Sequence, residues 1–327
     1  MNTFQDRKIK WGIIGLGNIA HHFASDLLSI EDAELYAVAS RTQDKADTFA
    51  KTFKATKAYS SYEDLVEDPN IDAVYIATPH VFHKENTLLC LNKGIAVLCE
   101  KPFAMNSNEV HEMITCAKAN KVLLMEALWT YFIPSYTYVL DIVKLQKYGK
   151  VLKLEADFGF YKAFDTSSRL FNKALGGGSL LDIGIYPIFS ALTVLGIPED
   201  IEAKSTFYKN GVDASCDMVF SYPNHVKAYL KSTLLEPTPT EAILHFENAT
   251  IKINSQFHTP SSVTILTSNT TETITFENST YGYNYEIIHF NSLIRQGETE
   301  SDVMTFNFSK NLIHILDEVS QIIGLKY

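Results

Sequence analysis

The chain has 327 residues, 46% of them hydrophobic and 12% aromatic, which excludes a disordered, collagen-like or coiled-coil polypeptide. At roughly 100–200 residues per domain, it is long enough for two domains with cores of their own. Lys and Arg number 28 against 38 Asp and Glu, and the resulting net charge of −10 argues against non-specific binding to nucleic-acid phosphates.

In chain order, Ile9–Ile14 reads as a strand, Ile19–Leu28 as a helix and Ala33–Ser40 as a second strand. An amphipathic helix over Asp44–Phe53 and a short one over Tyr62–Leu65 precede the fully apolar strand Ala73–Ala77. Helix His83–Asn92, strand Ala96–Cys99, helix Asn108–Asn120 and strand Val122–Met125 follow. Strands alternating with helices are βαβ units, and near-continuous apolar strands belong to a parallel sheet covered on both faces. Residues 1–127 therefore predict a doubly wound α/β domain.

The pattern then changes. A helix over Ser135–Gln146 leads into Val151–Phe158, which alternates, and then into β-rich runs at Ile201–Tyr208, Ala214–Tyr222, Val226–Leu235 and Glu241–Phe246. Shorter ones follow at Thr250–Ile253, Val263–Thr267 and Thr271–Phe276, and a helical pattern closes the chain at Phe306–Ile323. Turns at Asn210-Gly211 and Pro223-Asn224 mark antiparallel hairpins. Residues 128–327 predict an α+β domain whose large, mainly antiparallel sheet has helices on one face only. Its open face is expected to carry apolar residues such as Val219, Leu230 and Leu244, or their neighbours of opposite parity, and to form a homodimer interface.

Met1–Lys8 is polar and the apolar stretch after it is short, unlike a secretory leader. Leu180–Ile197 is almost wholly apolar, but Asp182 within it would cost about 2.5–3.5 kcal/mol in a bilayer, so a buried helix beside a cleft is expected. Cys90, Cys99, Cys116 and Cys216 contain no C-x-x-C pair, which points to free thiols in a reducing compartment, the cytoplasm, and to no metal cluster.

Four motifs carry chemistry. Gly15-x-Gly17-x-x-Ala20 joins the first strand to the first helix, so the amides of Asn18 and Ile19 at the helix start can face a pyrophosphate. Ser40-Arg41 ends the second strand where NAD-binding chains place an acid; a guanidinium suits a 2′-phosphate, so NADP is expected, with NAD possible. Thr78-Pro79-His80 and His83 follow the third apolar strand, either as a turn packing on nicotinamide or as a polar loop. Glu100-Lys101-Pro102 follows the next strand, at the sheet edge where ligands bind. Finally, Asp182 and Tyr186 lie four residues apart after the triple glycine Gly176–Gly178, which on an α-helix puts them on one face.

Together these motifs resemble the glucose-fructose oxidoreductase, inositol dehydrogenase and MocA-type family. Glu126-Ala127-Leu128-Trp129-Thr130-x-Phe132 and Arg169-Leu170-Phe171 resemble its dimeric dihydrodiol dehydrogenase and NADP-linked D-xylose dehydrogenase branch. Branch members often have arginine where Tyr131 stands here. The resemblance implies hydride transfer between nicotinamide and a carbinol carbon of a sugar, polyol or cyclic trans-diol, without a metal. Tyr186 would exchange the hydroxyl proton, Lys101 would lower its pKa, and Asp182 would orient the substrate or the lysine. A lysine about 4 Å away, at an effective dielectric near 20, favours phenolate by roughly 4 kcal/mol. Gly15, Gly17, Asn18, Ile19, Ser40, Arg41, Thr78, Pro79, His83, Glu100, Lys101 and Trp129 would hold the cofactor. Trp129, Phe160, Arg169, Asp182 and Tyr186 would meet the substrate. A non-catalytic NADP-binding sensor of the same fold is the alternative.

Overall fold

The computed structural model describes residues 7–327. By internal contacts the chain forms two compact units, one running to Trp129 and taking in Ser279–Lys310, the other Thr130–Asn278 with Asn311–Tyr327.

In the first unit, β1 (Ile9–Ile14), α1 (Asn18–Leu27), β2 (Ala33–Ala39), α2 (Gln43–Phe53) and β3 (Lys57–Tyr59) form one half. The other half comprises α3 (Tyr62–Val66), β4 (Ala73–Ile76), α4 (His83–Leu91), β5 (Ala96–Glu100), α5 (Ser107–Asn120) and β6 (Leu124–Ala127). The six strands are ordered β3-β2-β1-β4-β5-β6, and the pairs are all parallel. Every residue of β4 and of β5 is buried, as expected of strands covered on both faces. The order reverses between β1 and β4, so a crevice opens there at the carboxyl ends of the strands. The turn after β1, Thr78 after β4 and Lys101 after β5 all lie at that edge.

The second unit contains α6 (Pro134–Lys144), β7 (Val151–Gly159), α7 (Ile185–Leu195), β8 (Asp200–Phe207), β9 (Asp213–Ser221) and β10 (Lys227–Thr233). β11 (Ala242–Phe246), β12 (Thr250–Ile253), β13 (Val263–Leu266) and β14 (Thr271–Ile274) complete an eight-stranded sheet, ordered β14-β13-β12-β11-β7-β10-β9-β8. Only β7 and β10 among these neighbours run parallel, so the sheet is mainly antiparallel as its hairpin turns indicate. Helix α7 covers β7 and β10, against Leu154, Ala156, Ala228 and Leu230.

The opposite face corrects one expectation: it is not apolar. Leu230 and Leu244 are 3% and 1% exposed on the helix-covered side, and the alternate positions are Glu155, Asp157, Asp217, Lys231 and His245, with Val219 and Tyr229 among them. Glu155 takes a bond from His245 at 2.7 Å and from Lys153 at 2.9 Å on that face. Strict alternation separates one apolar side from one charged side, and the leucines chose the helices.

After β14 the chain forms α8 (Tyr283–Gln296), which packs on α1 and belongs to the first unit. Asp26 of α1 accepts the backbone N–H groups of Tyr281, Gly282 and Tyr283 and so caps this helix. The final helix, α9, spans Phe306–Ile323. The segment Lys173–Leu195 is long and apolar enough to cross a membrane, but 83% of its apolar 18-residue window is buried inside the fold, as a core helix would be.

Candidate active site

Within the first unit, Gly15 has φ +88°, and a Cβ there would come within 2.8 Å of the Ala77–Thr78 backbone. Only glycine fits that approach. Gly17 caps α1 without any side-chain bond, and a Cβ on it would meet nothing within 4 Å. The first amides of α1, at Asn18 and Ile19, therefore border open space at the positive end of the helix, with Ala20 buried behind them. That cradle fits a dinucleotide's pyrophosphate. Ser40 is buried and its N–H bonds the Tyr59 carbonyl, which ties the end of β2 to β3. Arg41 is exposed beside Tyr62, whose hydroxyl is pushed up by burial and pulled back by the arginine's charge.

The loop after β4 is pinned rather than free. His83 is fully buried, with Nε2 2.9 Å from the Thr78 carbonyl and Nδ1 2.8 Å from the Pro102 carbonyl. Asn86 donates to the Thr78 hydroxyl at 3.2 Å. Pro79 is half-buried and opens a helical turn, with His80 buried behind it. His83 thus braces two loops against each other.

At the end of β5, Glu100 is buried and accepts the Tyr75 hydroxyl on Oε1 and the Lys101 N–H on Oε2 at 3.2 Å. The Lys101–Pro102 peptide is cis, and Lys101 is half-buried. Glu126, on β6, accepts the Phe103 N–H at 3.0 Å. Burial pushes its carboxyl up to about 7, against the pull of the Ser309 hydroxyl and the Phe103 amide, with the Lys101 charge nearby. Trp129 is 9% exposed and stacks on Tyr283 of α8, ring centroids 4.3 Å apart.

Within the second unit, the segment after the triple glycine starts as a π-helical turn, Leu180–Gly184, before continuing as α7. Asp182 and Tyr186 are thus not spaced along a plain α-helix, and the shared-face argument does not describe them. Asp182 instead bonds Arg169 at 2.9 Å. Tyr186, in the first turn of α7, is 5% exposed, with its ring against Phe158 and His258 at 5.6 and 4.9 Å. Phe158 also tilts against Phe160 at 6.2 Å. Arg169, Asp182, Tyr186 and Phe160 therefore share one neighbourhood of this unit. His258 joins them without any sequence signal, since it sits in the irregular loop between β12 and β13 and stacks on Phe158 at 4.2 Å.

The model of the oxidoreductase family with an NAD-binding Rossmann fold matches residues 9–128, and that of the GFO/IDH/MocA C-terminal domain matches residues 136–252. The chain is 35% identical to the trans-1,2-dihydrobenzene-1,2-diol dehydrogenase of Xenopus tropicalis, over 97% of this chain and 99% of the relative. It is also 35% identical to a scyllo-inositol 2-dehydrogenase (NADP+) of Bacillus subtilis, over 98% of each. Among solved structures, an aldose-aldose oxidoreductase from Caulobacter crescentus shares the fold with TM-score 0.89 at 20% identity, covering 97% of this chain and 98% of that one. A 3-ketoreductase from Actinomadura kijaniata does so with TM-score 0.87 at 24% identity, with the same coverage. With both domain models matched in order and full-length relatives above 30% identity, the chain belongs to the Gfo/Idh/MocA family and is an oxidoreductase.

Proposed function

We propose that this enzyme moves hydride between the nicotinamide of NADP and a carbinol carbon of a sugar, polyol or cyclic trans-diol. The observation that carries the reading is the aromatic and ionic cluster of the second unit, where Tyr186 packs on His258 and Phe158 close to the Arg169–Asp182 pair. Such a cluster offers a phenol for proton exchange, a carboxylate to accept a substrate hydroxyl, and flat apolar walls for a ring. The names of the relatives, a trans-diol dehydrogenase and an NADP-linked inositol dehydrogenase, support the same substrate class.

When bound, the cofactor supplies a hydride acceptor or donor at nicotinamide C4. Gly15, Gly17 and the amides of Asn18 and Ile19 would hold its phosphates, Arg41 with Ser40 would hold the 2′-phosphate, and Thr78, Pro79 and Trp129 would supply the remaining contacts. Tyr186 receives the substrate hydroxyl proton in oxidation and returns it in reduction. Lys101, held by Glu100 and the Pro102 turn, favours the phenolate and serves the same proton transfer. Asp182, oriented by Arg169, accepts from a second substrate hydroxyl, and Phe160 with the Arg169 loop limits which ring is admitted.

The charged open face of the sheet is the surface we assign to a second copy. Its interspersed Glu155, Asp157, Lys204 and Lys231 around Tyr229 can pair across a two-fold axis. Four free cysteines, three of them buried, suit the cytoplasm. The test is a panel of trans-1,2-dihydrobenzene-1,2-diol, scyllo-inositol and aldoses, each with NADP and with NAD. Turnover of one class with NADP is expected, and NADPH binding without turnover of any would overturn the reading.

A further inference from the structure

The segment that carries Asp182 and Tyr186 begins without a cap of its own, since Ser179 makes no side-chain bond to its first amides. The cap comes from another strand. Asp213, the first residue of β9, accepts the Leu180 N–H at 2.6 Å and the Ser179 hydroxyl at 2.7 Å on Oδ2. The Ser179 hydroxyl also lies 3.1 Å from that of Ser232 on β10. Asp213 is wholly buried, and its Oδ1 has no partner among the described residues. Burial holds its carboxyl up at about 6 against those two bonds, so keeping an acid here costs stability.

A second brace reaches the same turn. The Tyr327 phenol donates to the Gly177 carbonyl at 3.0 Å. Between the two braces, Gly178 has φ +134°, and a Cβ there would collide with the Asp213 carboxylate. Gly178 thus admits no side chain.

We propose that Asp213 is a positioning residue for the reaction: by capping Ser179 and Leu180 from β9, it fixes the register of the π-turn and hence the places of Asp182 and Tyr186. This rests on the reading that those two residues act at the reacting carbinol. A π-turn holds one residue more than an α-turn, and relaxing it would rotate Asp182 by about 100° relative to Tyr186. Asp182 would then swing away from Arg169. The Tyr327 brace acts in the same sense.

The test compares Asp213→Ala, which removes the acceptor, with Asp213→Asn, which keeps one, alongside Tyr186→Phe. For Asp213→Ala, kcat on the best substrate of the panel should fall about 10–10²-fold, the scale of a 1 Å misplacement. Its NADPH affinity, read by fluorescence, should stay within about twofold, because the cofactor residues lie elsewhere in the chain. Amides of residues 179–186 should exchange hydrogen faster, and Asp213→Asn should restore both kcat and protection. A folded Asp213→Ala with wild-type kcat, or an Asn variant as defective as Ala, would overturn the proposal. If Asp213→Ala does not fold, Ser179→Ala and Tyr327→Phe decide: a lowered kcat with unchanged NADPH affinity supports it, and wild-type kcat in both overturns it. Full activity in Tyr186→Phe would instead sink the underlying reading of the site.

Discussion

Arg169 holds Asp182 at 2.9 Å, a bond between the loop that follows β7 and the π-turn that leads into α7. The arginine side chain is 42% exposed and the aspartate 13%, so the pair does little for stability, about 0–1 kcal/mol. In the proposed reaction its role is orientation. Asp182→Asn should leave the melting temperature nearly unchanged. It should lower kcat/KM about 10–10²-fold, matching about 1.5–3 kcal/mol for a charge-assisted bond. A large drop in melting temperature with intact kcat/KM would make the pair a purely structural contact.

Arg41 is exposed at the end of β2, in reach of solvent-borne ligands. Arg41→Ala should raise KM for NADP by the equivalent of about 1.5–3 kcal/mol and leave KM for NAD nearly unchanged. Equal wild-type efficiency with both cofactors would remove the assigned role.

The position of His83 suits either a turn packing on nicotinamide or a polar loop, and its bonds give it a bracing role. Its ring stands between the Thr78 and Pro102 carbonyls, and His83→Ala removes the ring N–H that one of them accepts and leaves a void in a buried place. The lost donor costs about 1–3 kcal/mol, so the denaturant midpoint and NADPH affinity should fall together. Weakened NADPH binding at unchanged stability would mean that the ring touches the cofactor instead.

Glu126 sets a pH dependence of stability. Its folded-state carboxyl titrates near 7 because it is buried, whereas an unfolded glutamate titrates near 4.5. The folded state therefore holds the proton more tightly, and stability falls as pH rises through that window. Glu286, buried with Glu100 and Asp26 near it and raised well above the usual range, acts in the same direction. Glu126→Gln keeps an acceptor for the Phe103 N–H. It should raise stability at about pH 8 by up to ~3 kcal/mol and by nothing near pH 4.5. Thermal melts across that range check it, and a gain that is largest in acid would reverse the assignment.

Much of this molecule is legible in its sequence because burial leaves a period. The central strands of the first unit are buried along their whole length and nearly all apolar, and those of the second unit alternate, so both sheets could be read from residue order alone. β3 escaped because three half-exposed or exposed residues, Lys57–Tyr59, show no period at all. Helix α8 escaped too, since its Tyr283–Gln296 pattern follows a strand of the other unit and its cap, Asp26, is 257 residues away from Tyr283. The glycine turn, Arg41, Lys101 and Tyr186 sit beside regular elements with recognisable spacing. His258 and Asp213 do not: one lies in an irregular loop, and the other caps a helix from a different strand. The extra residue of the π-turn left no trace in composition, so the four-residue spacing of Asp182 and Tyr186 read as an α-helical pair.

In the proposed reaction Tyr186 and Lys101 serve one proton transfer in an NADP-linked oxidation. Single-turnover formation of NADPH, followed by its near-ultraviolet absorbance in the wild type, Lys101→Met, Tyr186→Phe and the double variant, tests it most directly. Each single variant should bind NADP within a few-fold of wild type yet lose at least ~10²-fold in rate, and the double variant should lose little more, as groups acting together do. A Lys101→Met enzyme that turns over at the wild-type rate, or losses that multiply in the double variant, would contradict it.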